Sequence, residues 1–90
     1  MTRLIGLPKQ AFFVRKRWDG QRLSLIHLTR IVDISPFTEA VWDCMDGVRD
    51  LDAIGGCVAA FFPDLDPNLR EALVAQNIVQ FAEQQLLEED

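Results

Sequence analysis

The stretch from Ile34 to Leu51, I-S-P-F-T-E-A-V-W-D-C-M-D-G-V-R-D-L, constrains the fold more than any other part of the chain. It ends a strand, starts a helix, stops that helix and starts the next. Ser35 suits an N-cap, because its hydroxyl can accept a hydrogen bond from an orphan backbone N–H of the first turn. Pro36 follows at the first helical position, where its missing N–H costs nothing and its fixed φ already fits. Glu39 stands near the positive end of the helix dipole. Phe37, Val41, Cys44 and Met45 recur at helical spacing, with Ala40 and Trp42 widening the stripe, so Trp42 reads as core. Asp46-Gly47 is the stop, since glycine accepts the left-handed backbone that ends a helix. Asp50 can cap the next helix.

Upstream, residues 1–10 read as a flexible lead-in, with Gly6 and Pro8 as breakers, and residues 11–90 as one domain. Ala11 to Arg17 reads as a strand, with Phe12 and Val14 on one face and Phe13, Arg15 and Arg17 on the other. Asp19-Gly20 signals a tight hairpin turn. Arg22 to Leu28 is the second strand, with Leu23, Leu25 and His27 on one side. Leu28-Thr29-Arg30 allows a second tight turn although it lacks glycine, and Ile31 to Ile34 is a short third strand. Such a meander leaves its first and third strands at the edges, where unpaired N–H and C=O groups invite pairing. Arginine and lysine protect the first strand. The third carries only Asp33, and is the better candidate for pairing with another chain.

Downstream, helices are predicted over Pro36–Met45, Leu51–Phe61 and Pro67–Leu86. The second contains Gly55-Gly56, which either bend it or permit close approach to a neighbour. The third is capped by Asp66, with Pro67 at its first position. Its Val74, Ile78, Phe81, Ala82 and Leu86 form an apolar core face. A second side carries Leu69 and Leu73, continued by Gln76, Asn77, Gln80 and Gln84. That face is neutral in an otherwise acidic helix, and amides can bond the backbone of a peptide. The fold class is therefore α+β, a three-stranded antiparallel meander followed by three helices.

At 90 residues the chain is one domain, too small for a large enclosed active site. Its net charge of −5 hides an asymmetry. Residues 1–30 hold seven basic residues against one acidic, a balance of +6, whereas residues 31–90 hold two against thirteen, −11. Either the strand region and the helices meet different partners, or the two halves satisfy each other within the fold. No run approaches the roughly 20 apolar residues of a membrane span. The N-terminus has too short an apolar core for a signal peptide, so the expected location is cytoplasmic. Cys44 and Cys57 are not spaced as a metal knuckle. They read as buried reduced thiols, with a disulfide or a metal site as the alternative.

Catalytic chemistry is not legible. The one histidine, His27, has no nucleophile and orienting group at a suggestive spacing. No phosphate loop, dinucleotide fingerprint or Cys/His metal spacing occurs. The expectation is a non-enzymatic domain without cofactor or metal.

Ser35-Pro36, Val41-Trp42, Asp46-Gly47-x-Arg49 and the apolar helix from Leu51 together resemble the PqqD-like family, the RiPP recognition elements. Val74, Ile78, Phe81 and Leu86-Leu87 are spaced like that family's last helix, so the likeness covers roughly Phe12 to Leu87. The sequence departs where the family often has glycine in place of Gln85 and an aromatic or aliphatic residue in place of Asn77. The resemblance implies a winged helix-turn-helix-like fold. It also implies binding of the leader segment of a ribosomally made precursor peptide, whose core is presented to a partner modifying enzyme. In the family the leader adds as a strand beside the third strand, packed against the third helix. Here that places the peptide site at Arg30, Ile31, Val32, Asp33 and Ile34, facing Leu69, Leu73, Gln76, Asn77 and Gln80. The alternative, a winged-helix nucleic-acid-binding domain, fails on charge: the second helix has no basic residue and the third only Arg70. A purely structural subunit of an enzyme complex is a third reading.

Overall fold

Side-chain caps fix where each element begins. In the computed structural model, which describes residues 7–88, three strands precede three helices. They are β1 (Arg15–Trp18), β2 (Leu23–His27), β3 (Arg30–Asp33), α1 (Pro36–Cys44), α2 (Leu51–Ala59) and α3 (Pro67–Glu83). The Ser35 hydroxyl accepts from Thr38 N–H at 3.1 Å, Asp50 from Ala53 at 2.9 Å and Asp66 from Leu69 at 3.0 Å. In the β1–β2 turn, Asp19 accepts from the N–H groups of Gln21 and Arg22, which draws its carboxyl below the ordinary range, and Gly20 takes a φ of +97°. Asp46 does the same for Arg49 and Val48 after α1, again with a lowered carboxyl pKa.

The sheet is antiparallel in the order β1-β2-β3. Lys16, Leu25 and Val32 stand opposite one another and share its inner face. Leu25 is fully buried there, in a core with Val41, Trp42, Met45, Ile54, Val58, Val74, Ile78, Phe81 and Leu86. Trp42 meets Phe81 edge-on at 5.2 Å between ring centres. Lys16 reaches Asp43 at 2.9 Å and Glu39 at 3.0 Å on α1. Burial disfavours its charge, but the hydrogen bonds to Asp43 and Glu39 outweigh that and hold the ammonium above its ordinary pKa. No helix among the described residues is long and apolar enough to cross a membrane.

Several elements differ from the sequence reading. The first strand begins at Arg15 rather than Ala11, because Ala11 N–H bonds Leu86 C=O and Val14 N–H bonds Ala11 C=O, closing a turn. Phe12, expected beside Val14, is 90% exposed at that turn. Of the lead-in, residues 1–6 lie outside the described residues. Pro8 C=O accepts from Gly47, Lys9 C=O accepts from Glu88, and Gln10 pairs with Leu87. Gly55 and Gly56 lie inside an uninterrupted α2, and an added Cβ at either would meet nothing within 4 Å, so they make way for no neighbour.

The cysteines are paired, not free. The end of α1 and the middle of α2 bring Cys44 and Cys57 to a Cα separation of 6.2 Å, and they form a disulfide. Cys44 is fully buried and Cys57 half-buried. Their sequence spacing carries no sign of this, since it depends on how the two helices cross. Thiol titration of the denatured, unreduced protein should find none free. Reduction should lower stability by about 3 kcal/mol, read from urea unfolding with and without dithiothreitol.

Two residues other than glycine adopt a left-handed backbone, Leu28 at φ +57° and Gln85 at φ +61°. Gln85 follows the last turn of α3. There Leu86 N–H bonds Phe81 C=O at 2.9 Å and Gln85 N–H bonds Ala82 C=O at 3.1 Å, closing the helix as a Schellman-type cap. The sequence extended this helix to Leu86; the cap ends it and turns Leu86 into the core. Gln85→Gly should therefore stabilise the protein by about 0.5–1 kcal/mol, the relief of a left-handed side chain less the entropy glycine adds to the unfolded chain. Thermal unfolding should show a rise of roughly 2–6 °C.

Candidate functional site

The hydrogen-bond phase of the sheet decides which groups of β3 are free. Ile34 N–H bonds Leu23 C=O at 2.9 Å, and the register pairs Val32 with Leu25 and Arg30 with His27. In an antiparallel ladder the bonded pairs alternate with unbonded ones. Arg30, Val32 and Ile34 therefore direct their main-chain groups at β2, while the N–H and C=O of Ile31 and Asp33 point to the open edge. Nothing outside the sheet bonds them among the described residues. Ile31 is exposed, and its side chain lies on the outer face of the sheet; Val32 and Ile34 are half-buried on the inner face. Asp33 accepts from the Ser24 hydroxyl at 2.9 Å and pairs with Arg22 at 3.5 Å.

On α3, Leu69, Leu73, Gln76, Asn77 and Gln80 fall on one stripe that continues to Gln84. Two cross-ties orient that stripe toward β3 and α1. Thr38 of α1 donates its hydroxyl to Asn77 Oδ1 at 2.7 Å. Arg30, at the start of β3, donates to the carbonyl of Gln84 and to His27 Nδ1. Asn77 also donates to Leu73 C=O at 2.7 Å, so both ends of its amide are engaged. Gln76 and Gln80 are exposed, Leu69 is 49% exposed and Leu73 half-buried. Arg30–Gln84 thus joins the start of β3 to the end of α3, and Thr38–Asn77 joins α1 to the middle of α3. A cleft of about 700 Å³ at the Asp33 end is lined by Trp18, Arg22, Leu23, Ile34, Pro36 and Glu39.

Of the residues expected at the peptide site, Arg30, Ile31, Val32, Asp33 and Ile34 lie on or directly after β3, and Leu69, Leu73, Gln76, Asn77 and Gln80 lie on α3. The sequence carries no sign of the ties that Arg30 and Thr38 make to α3. Thr38 sits half-buried in the first turn of α1, in helical phase with the buried Val41, Trp42 and Met45, and nothing local marks it as the partner of a residue so distant in sequence. His27 is buried, stacked on Phe13 at 4.9 Å, and holds Arg30. Among the described residues no group of three His, Cys, Asp or Glu side chains could hold a metal ion.

No protein-family model and no curated protein matches the sequence. Solved structures do match. The PqqD truncation of Methylobacterium extorquens PqqCD, a functional and stand-alone RiPP recognition element, is similar with a TM-score of 0.73 at 25% identity. The match covers 91% of this chain and 88% of that one. TbiB1, in complex with the TbiA(beta) leader peptide, gives a TM-score of 0.72 at 17% identity over 91% of this chain and 96% of that one. The architecture is thus a three-stranded antiparallel sheet followed by three helices, of the α+β class. It is the fold of the PqqD-type RiPP recognition elements, as the resemblance in the sequence implies.

The Thr38–Asn77 tie is separable from the fold. Thr38→Val alone leaves the Asn77 carbonyl without its donor and should cost about 1 kcal/mol. Combining it with Asn77→Leu removes both partners and should restore most of that loss, as a urea-unfolding double-mutant cycle will show.

Proposed function

We propose that this protein binds the leader segment of a ribosomally synthesised precursor peptide by strand addition and presents the core to a partner modifying enzyme. The observation that carries the reading is the β3 edge, whose Ile31 and Asp33 main-chain groups are unpaired among the described residues, joined through Arg30–Gln84 to α3 with its neutral amide-and-leucine stripe. Main-chain pairing supplies affinity with little sequence demand, and side-chain pockets supply specificity. The RiPP recognition elements of the same fold, one of them solved with a leader peptide, support it.

An added strand antiparallel to β3 would begin beside the cleft at Trp18 and Ile34, which has room for one bulky apolar side chain. Further along, Leu69, Leu73 and Val32 offer apolar contact. Each buried Leu- or Phe-type anchor contributes roughly 1.5–3 kcal/mol. Ordering the leader costs about 2–5 kcal/mol. Two or more anchors are therefore needed besides the strand pairing. The protein does no chemistry in this scheme; it raises the local concentration of the core peptide at the enzyme.

Titration of the labelled protein with synthetic leader peptides from the neighbouring precursor gene should produce saturable amide shifts. They should cluster on Arg30 to Ile34 and on Leu69 to Gln80. Leu73→Asp should weaken binding by about tenfold or more, the loss of one buried anchor, with the fold intact by circular dichroism. Silence with every leader, beside salt-sensitive DNA binding centred on Arg15 to Arg17, would overturn the reading in favour of nucleic acid.

A further inference from the structure

The outer face of the sheet is built differently from the inner one. Strand alternation puts Arg15 and Arg17 of β1, Ile26 of β2 and Ile31 of β3 on it, away from Leu25 and the helices. Arg15 stands opposite Ile26, and Ile26 opposite Ile31, so an apolar strip runs from the open edge to an arginine pair. Lys16, between the two arginines in sequence, is clamped by Glu39 and Asp43 on the other face. Arg15 and Arg17 form no ion pair among the described residues. Asp19, the nearest acid in sequence, is engaged by the turn N–H groups, and Asp33 by Arg22 and Ser24.

One end of the sheet adds large apolar side chains. Phe12 is 90% and Leu28 79% exposed, and Phe13 lies between Phe12 and His27 with ring centres 5.5 and 4.9 Å away. Leu28 combines that exposure with a left-handed backbone, a place where a bulky residue is an outlier and glycine is expected. Neither core packing nor turn geometry accounts for a leucine there.

We propose that Arg15, Arg17, Ile26 and Ile31 of the outer face, with Leu28 in the turn at its end, form the surface on which the modifying enzyme docks, through an apolar patch rimmed by carboxylates. This rests on the leader-binding reading. Charge complementarity fixes the chemistry: exposed, unpaired arginines beside aromatic and aliphatic side chains suit an acidic rim around an apolar centre. A leader added antiparallel to β3 would run from the Asp33 end to the Arg30 end, and the segment after it would leave the sheet beside Leu28. An enzyme seated at that end receives the segment without the chain crossing the domain.

The test uses the modifying enzyme encoded beside the precursor gene, with Arg15→Glu/Arg17→Glu and Leu28→Gly as variants. Both variants should keep the wild-type leader affinity. The charge reversal should weaken enzyme binding by about tenfold or more, and increasingly so at low salt. Leu28→Gly should weaken it by about fivefold or more while melting no lower than wild type, because glycine relieves the backbone as it removes the contact. Equal enzyme affinity in all three proteins, or no enzyme binding by the wild type, overturns the proposal. So does a charge reversal that abolishes binding to a DNA duplex and leaves enzyme binding unchanged. A silent leader titration with enzyme binding still dependent on Arg15, Arg17 and Leu28 would instead sink the leader reading and keep the docking surface.

Discussion

The chain's exit from β3 through Ser35 and Pro36 is the constraint on which the rest of the structure depends. Proline has no N–H to give a ladder, and its fixed φ begins a helix, so the third strand cannot continue past Ile34. Ser35 caps that helix in the same step. Among the described residues β3 is left at the edge with the main-chain groups of Ile31 and Asp33 unpaired. Edge strands of soluble proteins are usually blunted. Here β1 has its row of basic residues, whereas the two charged residues of β3 are engaged, Asp33 by Ser24 and Arg22 and Arg30 by Gln84 and His27. An edge left open beside a helix that offers amides rather than charges is the arrangement strand addition requires.

Two polar ties hold α3, one to β3 and one to α1. Arg30 bridges β3 to the last carbonyls of α3, whose negative dipole end favours a guanidinium. Thr38 bridges α1 to the middle of α3. Neither tie occupies the open N–H and C=O groups of β3. A rigid site lowers the ordering cost that falls on the protein, leaving the peptide's own entropy as the main opposing term. The Cys44–Cys57 disulfide ties the end of α1 to α2.

The caps and turns were legible because each is a local hydrogen bond between residues two or three apart. Ser35, Asp50, Asp66 and Asp19-Gly20 do what their types predict. Leu25, Trp42 and Val74 were legible from periodicity alone. What failed was set by distant partners. The pattern A-F-F-V reads as a strand, yet Leu86 C=O takes Ala11 N–H and the chain turns. Thr38 and Cys57 likewise acquire their roles from elements that meet only in the fold. Gln85 gave half a signal: glycine is usual at the position it fills in the family, and its positive φ is the physical reason.

The charge asymmetry of the sequence resolves by strand parity, and this joins the two alternatives it posed. Lys16 faces inward and is neutralised by Glu39 and Asp43, so part of the basic N-terminal third does satisfy the acidic helices. Lys9 pairs with Glu88 in the same sense. Arg15 and Arg17 differ from Lys16 only in parity, and that sends them to a face with no helix behind it. Exposed ion pairs contribute little to stability, so leaving these two arginines unpaired costs the fold almost nothing. A register shift of one residue in β1 would reverse the arrangement, bury two guanidiniums against Leu25 and free Lys16. The helices' carboxylates therefore help to set the strand register, and the register in turn determines which positive charges remain for another molecule.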